Sequence, residues 1–460
     1  MVFSSLSFLI IFLPLALLTY YIVPKTLKNI VLLIYSLLFY FIGEPKLFIL
    51  ILLSCIINFI FGLLIERVNK KKLVLIIDIV INLLILGYFK YFNFFIDSFN
   101  KIFNTSFALF NIVLPIGISF YTFQTISYVM DIYRGKYKAE KNIFDFSLYV
   151  TFFPQLIAGP ILRYEDVIKD IKKRNNNIDM FRRGVSRFII GLSKKVLISN
   201  TIAEFVQIYI NMNYHTTLMA ILVGICIPLY IYFDFSGYTD MAIGLGRMFG
   251  FNFSENFKFP FCSRNVTEFW RRWHITLGTW FRDYVYIPLG GNRVSKFRHI
   301  INILIVWALT GLWHGASFNF ILWGLYYGLL LILEKKVIGK YLIKHVFISH
   351  IYLIIVTIVG FEIFNATDTD ILKNILELIG IGTNGFSSVI SFYYLRSYAF
   401  LIILSCFLST PILKKIISKL KEKNNLITNI VLDIFLIILF ILCISYLVDG
   451  SYNPFLYFRF

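Results

Sequence analysis

The sequence predicts an all-α, multi-pass membrane protein. Of its 460 residues, 58% are hydrophobic and 15% are charged, and the mean hydropathy is +0.77. Apolar runs of about 18 residues or more recur along the chain, and this is the length that an α-helix needs to cross a bilayer. A soluble domain could not bury so much apolar surface. We expect about ten to twelve transmembrane helices, with re-entrant or hairpin segments, in one integral membrane domain over residues 1–460.

The positive charge of the chain indicates membrane topology. The formal net charge is +19, but the Lys and Arg residues lie in short loops between apolar spans. Such loops remain in the cytoplasm by the positive-inside rule. The charge therefore gives little reason to expect a nucleic-acid partner, and membrane lipids are the predicted surroundings.

The same rule orients the first and last helices. Residues 6–23 are predicted to run inward, residues 30–42 outward and residues 47–65 inward again, which places the N-terminus outside. A last helix at about residues 427–447 starts from a basic, cytoplasmic loop. The C-terminal tail, residues 448–460, is then also predicted outside.

Two segments are too short or too interrupted for simple crossings. Residues 300–333 form about 51 Å of helix, which is less than two crossings of a core about 30 Å thick require. We therefore predict a helical hairpin with Gly311 and Gly315 at its bend, and His314 near the middle or in the outer half of the membrane. Two prolines and a glycine break residues 152–160, which makes that stretch a re-entrant candidate.

His314 is the first candidate for chemistry. A titratable side chain within an apolar segment is costly and is expected to face the bundle interior or a wet cavity. An imidazole, with an ordinary pKa of about 6.5, suits general-base catalysis. The alternative is a neutral core histidine bonded to a backbone carbonyl, but the flanking glycines and Trp313 favour a functional role. Four further histidines near span ends or loops are predicted to be solvated: His215, His299, His345 and His350.

A basic and aromatic run that contains His274 precedes this segment. Two interpretations are equally open. The run is either an interfacial amphipathic helix or a binding site for an anionic carrier such as a coenzyme A thioester. In the second case the donor-binding candidates are three arginines that pair with phosphates and two tryptophans that cover the carrier: Arg271, Arg272, Arg282, Trp273 and Trp313.

No metal site is expected from the sequence. The histidines at 274 and 314 are about forty residues apart, and no cysteine or carboxylate cluster completes a ligand shell beside either of them. The five cysteines are scattered without metal or disulfide spacing. We therefore expect neither a metal nor a tightly bound cofactor.

Several short strings resemble the membrane-bound O-acyltransferase (MBOAT) superfamily, and in particular its bacterial branch typified by the alginate O-acetylation membrane subunit. Each string is modest alone, but their order along the whole chain makes the resemblance specific. The strings occupy residues 1–9, 43–46, 152–160, 232–241, 256–260, 270–274, 286–293 and 312–315.

The resemblance implies an MBOAT-like fold and a set of roles. His314 corresponds to the superfamily's invariant histidine, and His274 to its usual second polar residue. An acyl donor, most simply acetyl-CoA, reaches the site from the cytoplasm. In this branch the acyl group passes outward to a cell-surface or exported polysaccharide, with the help of an SGNH-hydrolase-like extracytoplasmic partner. The resemblance implies a location in the bacterial cytoplasmic membrane.

Two alternatives stay open. The related teichoic acid subunits transfer D-alanine and tend to have Ser-Gly-Pro where this chain has Ala158-Gly-Pro160, which favours acetyl here. A non-enzymatic transporter or flippase of a carrier or lipid would need an intramembrane carboxylate network. The predicted spans contain only isolated acids: Asp78, Asp234 and Glu362.

Tyr457, in the predicted outer tail, is a further catalytic candidate. The tail resembles a short Phe- and Tyr-containing C-terminal motif proposed, in related systems, to carry the acyl group on a tyrosine. The equally weighted alternative is an aromatic interfacial anchor. A phenol, with an ordinary pKa of about 10, would need a base, and His314 is the obvious candidate.

Overall fold

The computed structural model of the chain describes residues 2–174, 176–422, 426–450 and 453. This part of the chain is helical and contains no β-strand, which confirms the predicted all-α class. Its α-helices, in chain order, are α1 Leu13–Ile22, α2 Lys28–Gly43, α3 Phe48–Arg67, α4 Lys71–Leu86, α5 Phe92–Phe103, α6 Ile118–Tyr133, α7 Ile143–Thr151, α8 Phe153–Leu156, α9 Tyr164–Lys172, α10 Ile178–Ser193, α11 Asn200–Ile210, α12 Thr217–Met248, α13 Val266–Arg272, α14 Ile275–Phe281, α15 Lys296–His314, α16 Phe318–Leu333, α17 Gly339–Lys344, α18 Val346–Asn365, α19 Ile371–Leu378, α20 Val389–Leu408, α21 Ile412–Glu422 and α22 Leu426–Val448.

Helix length and composition identify a multi-pass membrane protein. Within the described residues, seven helices are long and apolar enough to cross a membrane: Lys25–Gly43, Phe48–Arg67, Lys71–Phe103, Thr217–Met248, Val346–Asn365, Val389–Leu408 and Leu426–Val448. Phe8–Ile22 is a shorter apolar helix. The predicted total of ten to twelve is higher because it also counts helices such as α6 and α16, which have 16 residues each and extend only about 24 Å.

The chain divides into two compact units. The first comprises residues 1–188 and 238–255, and the second comprises residues 189–237 and 256–460. Helices α10 and α12 each contribute residues to both units. The single domain expected from the sequence stays a prediction.

In the first unit, the segment predicted to be broken is short and buried. Between Phe152 and Pro160 the only helix is the four-residue α8, and every residue of this stretch is buried. Irregular backbone in a membrane protein is tolerated where it lies against protein. The predicted break is confirmed, and its re-entrant course stays a prediction.

In the second unit, α15 and α16 form the predicted hairpin. They pack against each other along their length and are joined by residues 315–317. Gly315 follows α15 at the bend, as expected. The placement of Gly311 at the bend was wrong, because Gly311 lies in the last turn of α15, where a Cβ atom would come within 2.1 Å of the Phe320 carbonyl oxygen. Its role is close helix packing.

Candidate functional site

The second unit brings the two candidate histidines to one place. His314 is the last residue of α15, and its ring centroid lies 4.9 Å from that of Trp313. The Trp313 centroid lies 5.8 Å from that of His274. Both histidines are buried, with exposed fractions of 6% for His314 and 2% for His274. Residues forty positions apart therefore flank a single tryptophan.

Aromatic rings surround His314. The ring centroids of Trp323 and Phe364 lie 5.0 and 5.2 Å from that of His314, with interplanar angles of 83° and 82°. These rings fix the orientation of the imidazole and shield it from water. Because His314 ends a helix, the helix dipole favours its charged form, typically by about 0.3–1 kcal/mol. The dipole acts against the burial of the ring, which disfavours a charged imidazole.

The backbone at His274 is in an uncommon conformation. Helix α13 ends at Arg272 and α14 starts at Ile275, and between them His274 has φ +44°. A left-handed conformation at such a residue costs on the order of 1–3 kcal/mol. The preceding loop holds the turn on both sides, since Lys258 N–H donates to the Arg272 carbonyl (2.9 Å) and Ile275 N–H donates to the Asn256 carbonyl (3.0 Å).

The two nitrogens of the His274 ring differ in their hydrogen bonding. Its Nδ1 lies 3.2 Å from Asn256 Oδ1, and its centroid lies 4.7 Å from that of Phe235. Within the described residues, the buried Nε2 atom has no hydrogen-bond partner. Helices α13 and α14 are not among the seven candidate spans. Burial lowers the pKa of His274 to about 3, so the ring is neutral at physiological pH.

Both histidines line a cavity of about 1240 Å³. The lining extends from the exposed Arg271 and Lys335 to the buried His274 and His314. Between them lie aromatic and polar side chains, among them Trp270, Trp273, Tyr286, His299, Trp307 and Thr310. The cavity therefore connects cationic surface residues to the two imidazoles.

The three predicted donor-binding arginines differ in their positions. Arg271 lines the cavity and forms no ion pair within the described part of the chain. Arg282 also lines it, but Asp283 binds the guanidinium at 2.7 and 3.1 Å. Arg272 is not among the lining residues and pairs with Glu268 at 2.5 Å. Arg271 is thus the arginine best placed to bind an anion in the cavity.

The two predicted donor-binding tryptophans also differ in their positions relative to the cavity. Trp273 lines the cavity and stacks on Phe269 at 5.5 Å. Trp313 is not among the lining residues; it lies between His274 and His314. Its position indicates that it spaces the two imidazoles, whereas Trp273 forms part of the wall.

Sequence reasoning missed several residues of this site. Asn256 lies in one of the strings that resemble the family, but no role was predicted for it. Lys335 was interpreted only as part of a basic cytoplasmic loop. His299 was predicted to be solvated. It is half-buried, lies 2.9 Å from the Tyr286 hydroxyl and lines the cavity. The signal for these residues is spatial, since each comes from a different stretch of the chain.

Tyr457 lies outside the described residues. Of the tail beyond Gly450, Asn453 alone is described, and its Oδ1 accepts a hydrogen bond from Asn200 Nδ2 at 3.1 Å. Among the described residues, no group of three or more His, Cys, Asp or Glu side chains could hold a metal ion.

Comparison with known proteins identifies the family. The sequence profile of the membrane-bound O-acyltransferase family matches residues 140–361, which include both histidines of the site. The chain is 42% identical to a probable alginate O-acetylase of Pseudomonas aeruginosa over 83% of its own length and 76% of that protein. It is 35% identical to a peptidoglycan O-acetyltransferase of Helicobacter pylori, over 73% and 70%. It is 30% identical to a teichoic acid D-alanyltransferase of Bacillus subtilis, over 48% and 59%. The chain therefore belongs to the membrane-bound O-acyltransferase family and is a membrane O-acyltransferase.

Proposed function

We propose that this protein transfers an acetyl group from cytoplasmic acetyl-CoA for the O-acetylation of a cell-surface or exported polysaccharide. The observation that carries the proposal is the cavity, which joins exposed cationic residues to His274 and His314. Acetyl is favoured because the relatives matched over most of the chain are named for the O-acetylation of alginate and peptidoglycan.

The cavity suits a long anionic donor. Two exposed residues of its lining, Arg271 and Lys335, carry positive charge. Charge-assisted hydrogen bonds from such side chains to phosphate groups are favourable. Its volume of about 1240 Å³ exceeds that of most small-molecule pockets, about 300–1,000 Å³. The thioester end of such a donor would lie beside the histidines, with aromatic side chains along its arm.

The transfer step follows from the two imidazoles. A hydroxyl oxygen attacks the acetyl carbonyl carbon, and His314 accepts the hydroxyl proton. The new C–O bond forms, the C–S bond of the thioester breaks, and the thiolate leaves. The proton on His314 then passes to the thiolate sulfur, so that the products are an acetyl ester and a free thiol. His274 acts beside it as the second polar residue of the centre.

The outward direction rests on the predicted topology, with both termini outside the bacterial cytoplasmic membrane. The attacking hydroxyl is that of Tyr457, and the acetyl-tyrosine is then handed to an SGNH-hydrolase-like partner that acetylates the sugar. Of the residues beyond Gly450, Asn453 is described and accepts a hydrogen bond from Asn200 of the same unit.

D-Alanyl transfer to teichoic acid is the second candidate, because the Bacillus subtilis relative has that activity in its name. It is less favoured, since that match covers under half of this chain and Ala158 stands where the D-alanyl subunits tend to have serine. The transporter alternative is disfavoured by membership of an enzyme family and by the pairing of Asp234 with Lys195, which removes one of the isolated acids.

The test uses the full-length protein in proteoliposomes with radiolabelled acetyl-CoA. We expect release of free thiol and labelled product, loss of both in His314→Ala, and retention in a matched control, His345→Ala, whose histidine is exposed. Thiol release at the wild-type rate by His314→Ala, or substrate flux without thiol release, contradicts the proposal. For the relay, unchanged surface acetylation in Tyr457→Phe rejects the acetyl-tyrosine.

A further inference from the structure

We infer that Asn256 fixes His274 in the tautomer with its proton on Nδ1, so that Nε2 presents a lone pair to the cavity and binds an N–H group of the thioester donor. His274 is then a positioning residue for the carrier arm and cannot stabilise an oxyanion. This inference deepens the proposed function and rests on it for the identity of the donor, whereas the tautomer rests on hydrogen-bond geometry alone.

The orientation of the Asn256 amide is the first step. Its Oδ1 atom lies 3.2 Å from the Thr276 backbone nitrogen and 3.0 Å from the Thr276 hydroxyl. A backbone N–H can only donate, so the amide oxygen must face it. The opposite orientation would place an NH₂ group against this N–H. This orientation leaves Asn256 Nδ2 without a partner within the described residues.

The proton on His274 follows from this orientation. Oδ1 of Asn256 can only accept a hydrogen bond, so the His274 Nδ1 atom 3.2 Å away must donate. A neutral imidazole carries one proton. No carboxylate pairs with His274 among the described residues, and its burial favours the neutral ring. Nε2 therefore has a lone pair and no proton.

The buried Nε2 atom is the candidate contact for a ligand. Nε2 is buried without a protein partner in the described part of the chain, and His274 lines the cavity. The left-handed turn and the Phe235 ring hold the imidazole in place. A buried acceptor is matched only when a donor enters. An oxyanion, which needs hydrogen-bond donors, cannot be that ligand.

The chemistry of the reaction selects the donor that enters. The attacking hydroxyl has one proton, and in the proposed step that proton goes to His314. The remaining donor near the thioester of a pantetheine arm is the amide N–H two carbons from the sulfur. Binding of this N–H by His274 would set the position of the thioester relative to His314.

Nitrogen-15 NMR of histidine-labelled protein tests the tautomer. The chain contains six histidines, and loss of one pair of signals in His274→Gln assigns this residue. We expect a protonated Nδ1 and an unprotonated Nε2 in the wild type and in Asn256→Asp, which keeps an acceptor oxygen. Asn256→Leu should shift the population towards the Nε2-protonated form. Asn302→Leu, at a buried asparagine bonded to the Leu289 and Gly291 carbonyls, is the matched control and should leave the signals unchanged. A protonated Nε2 in the wild type, or no shift in Asn256→Leu, overturns the inference.

Two small donors test the role of the lone pair. One is S-acetyl-N-acetylcysteamine, which has the amide N–H; the other is its ester analogue, in which oxygen replaces N–H. We expect the wild type and Asn302→Leu to prefer the amide by at least about 10-fold in kcat/KM, and Asn256→Leu and His274→Leu to lose most of this preference. Equal use of both donors by the wild type overturns the role of His274. Absence of thiol release from any acetyl thioester, with the NMR result intact, would instead count against the proposed function.

Discussion

Two histidine regions of the second unit, one partly buried around His215 and one buried around His274, differ in how their ring nitrogens are used. His215 has Nδ1 at 3.0 Å from both Glu377 carboxylate oxygens and Nε2 at 3.0 Å from the Met212 carbonyl. Tyr209 stacks on this ring at 4.3 Å and donates its hydroxyl to Glu377 at 2.7 Å. At the proposed site, by contrast, His274 uses Nδ1, and its Nε2 has no hydrogen-bond partner among the described residues.

The difference shows that enclosure of a histidine by protein does not by itself indicate function. At His215 both ring nitrogens are bonded within the protein, so no acceptor or donor is left for a ligand. At His274, by contrast, Nε2 has no partner among the described residues and remains for a ligand. The sequence-based expectation that His215 is solvated was wrong, because Glu377, 162 residues later, reaches it only in the folded chain.

The largest expected effect is on catalysis at the proposed site. His314→Ala removes the proposed proton acceptor, and we expect the rate of thiol release from acetyl-CoA to fall by about 10²–10⁴-fold with little change in melting temperature. His215→Ala is the contrasting variant, and its rate should stay within about 3-fold of the wild type once folded. Similar rate losses in both variants would break the distinction between the two regions.

The second effect is on the stability that the hydrogen bonds of His215 provide. His215→Leu leaves the buried Glu377 carboxylate without its imidazole partner. We expect the free energy of unfolding to fall by about 1–3 kcal/mol. Thermal unfolding in detergent measures this change. Tyr209→Phe, which removes one donor to the same carboxylate, should show a smaller loss. A melting temperature unchanged in His215→Leu would contradict a structural role.

A third effect concerns the hairpin that ends at His314. In Gly311→Ala the added Cβ would lie 2.1 Å from the Phe320 carbonyl oxygen, so α15 and α16 must separate. We expect a stability loss of about 1–3 kcal/mol and lower activity, because His314 moves with the end of α15. Gly87→Ala, where a Cβ meets nothing within 4 Å, is the control. Equal melting temperatures for the two variants would contradict the close-packing role.

The pH dependence of stability provides a fourth test. The pKa of His274 in the folded protein is lowered to about 3 by burial, whereas the ordinary value is about 6.5. Between these values the unfolded chain binds a proton that the folded chain does not, so this histidine costs stability as pH falls from about 6.5 towards 3. His274→Gln should therefore lose less melting temperature over that range than the wild type. Parallel pH profiles would indicate that His274 is not buried in a neutral form.

The smallest effect is expected at the exposed end of the cavity. Arg271→Ala removes an exposed cation, worth about 0.2–1 kcal/mol, so we expect the KM for acetyl-CoA to rise a few-fold with kcat unchanged. Arg272→Ala, at a residue that does not line the cavity, should leave KM unchanged. A larger effect in Arg272→Ala would move the donor site away from the described cavity.

Much of the fold was predictable because membrane helices are specified locally. Apolar runs and basic loops placed the first and last helices within a few residues of the apolar helix Phe8–Ile22 and of α2, α3 and α22. The length of one apolar run was enough to predict the α15–α16 hairpin. The role of Gly311 was not predictable, since it depends on the carbonyl of a facing helix.

The sequence by itself determined the membrane class and singled out His314 and His274, because a polar side chain in an apolar run is a local signal. Only the tertiary structure decided which nitrogens remain open, which arginine lines the cavity and which histidine is bonded within the fold. These properties depend on partners that are close in space but distant along the chain. Asn256 is 18 residues from His274, and Glu377 is 162 residues from His215.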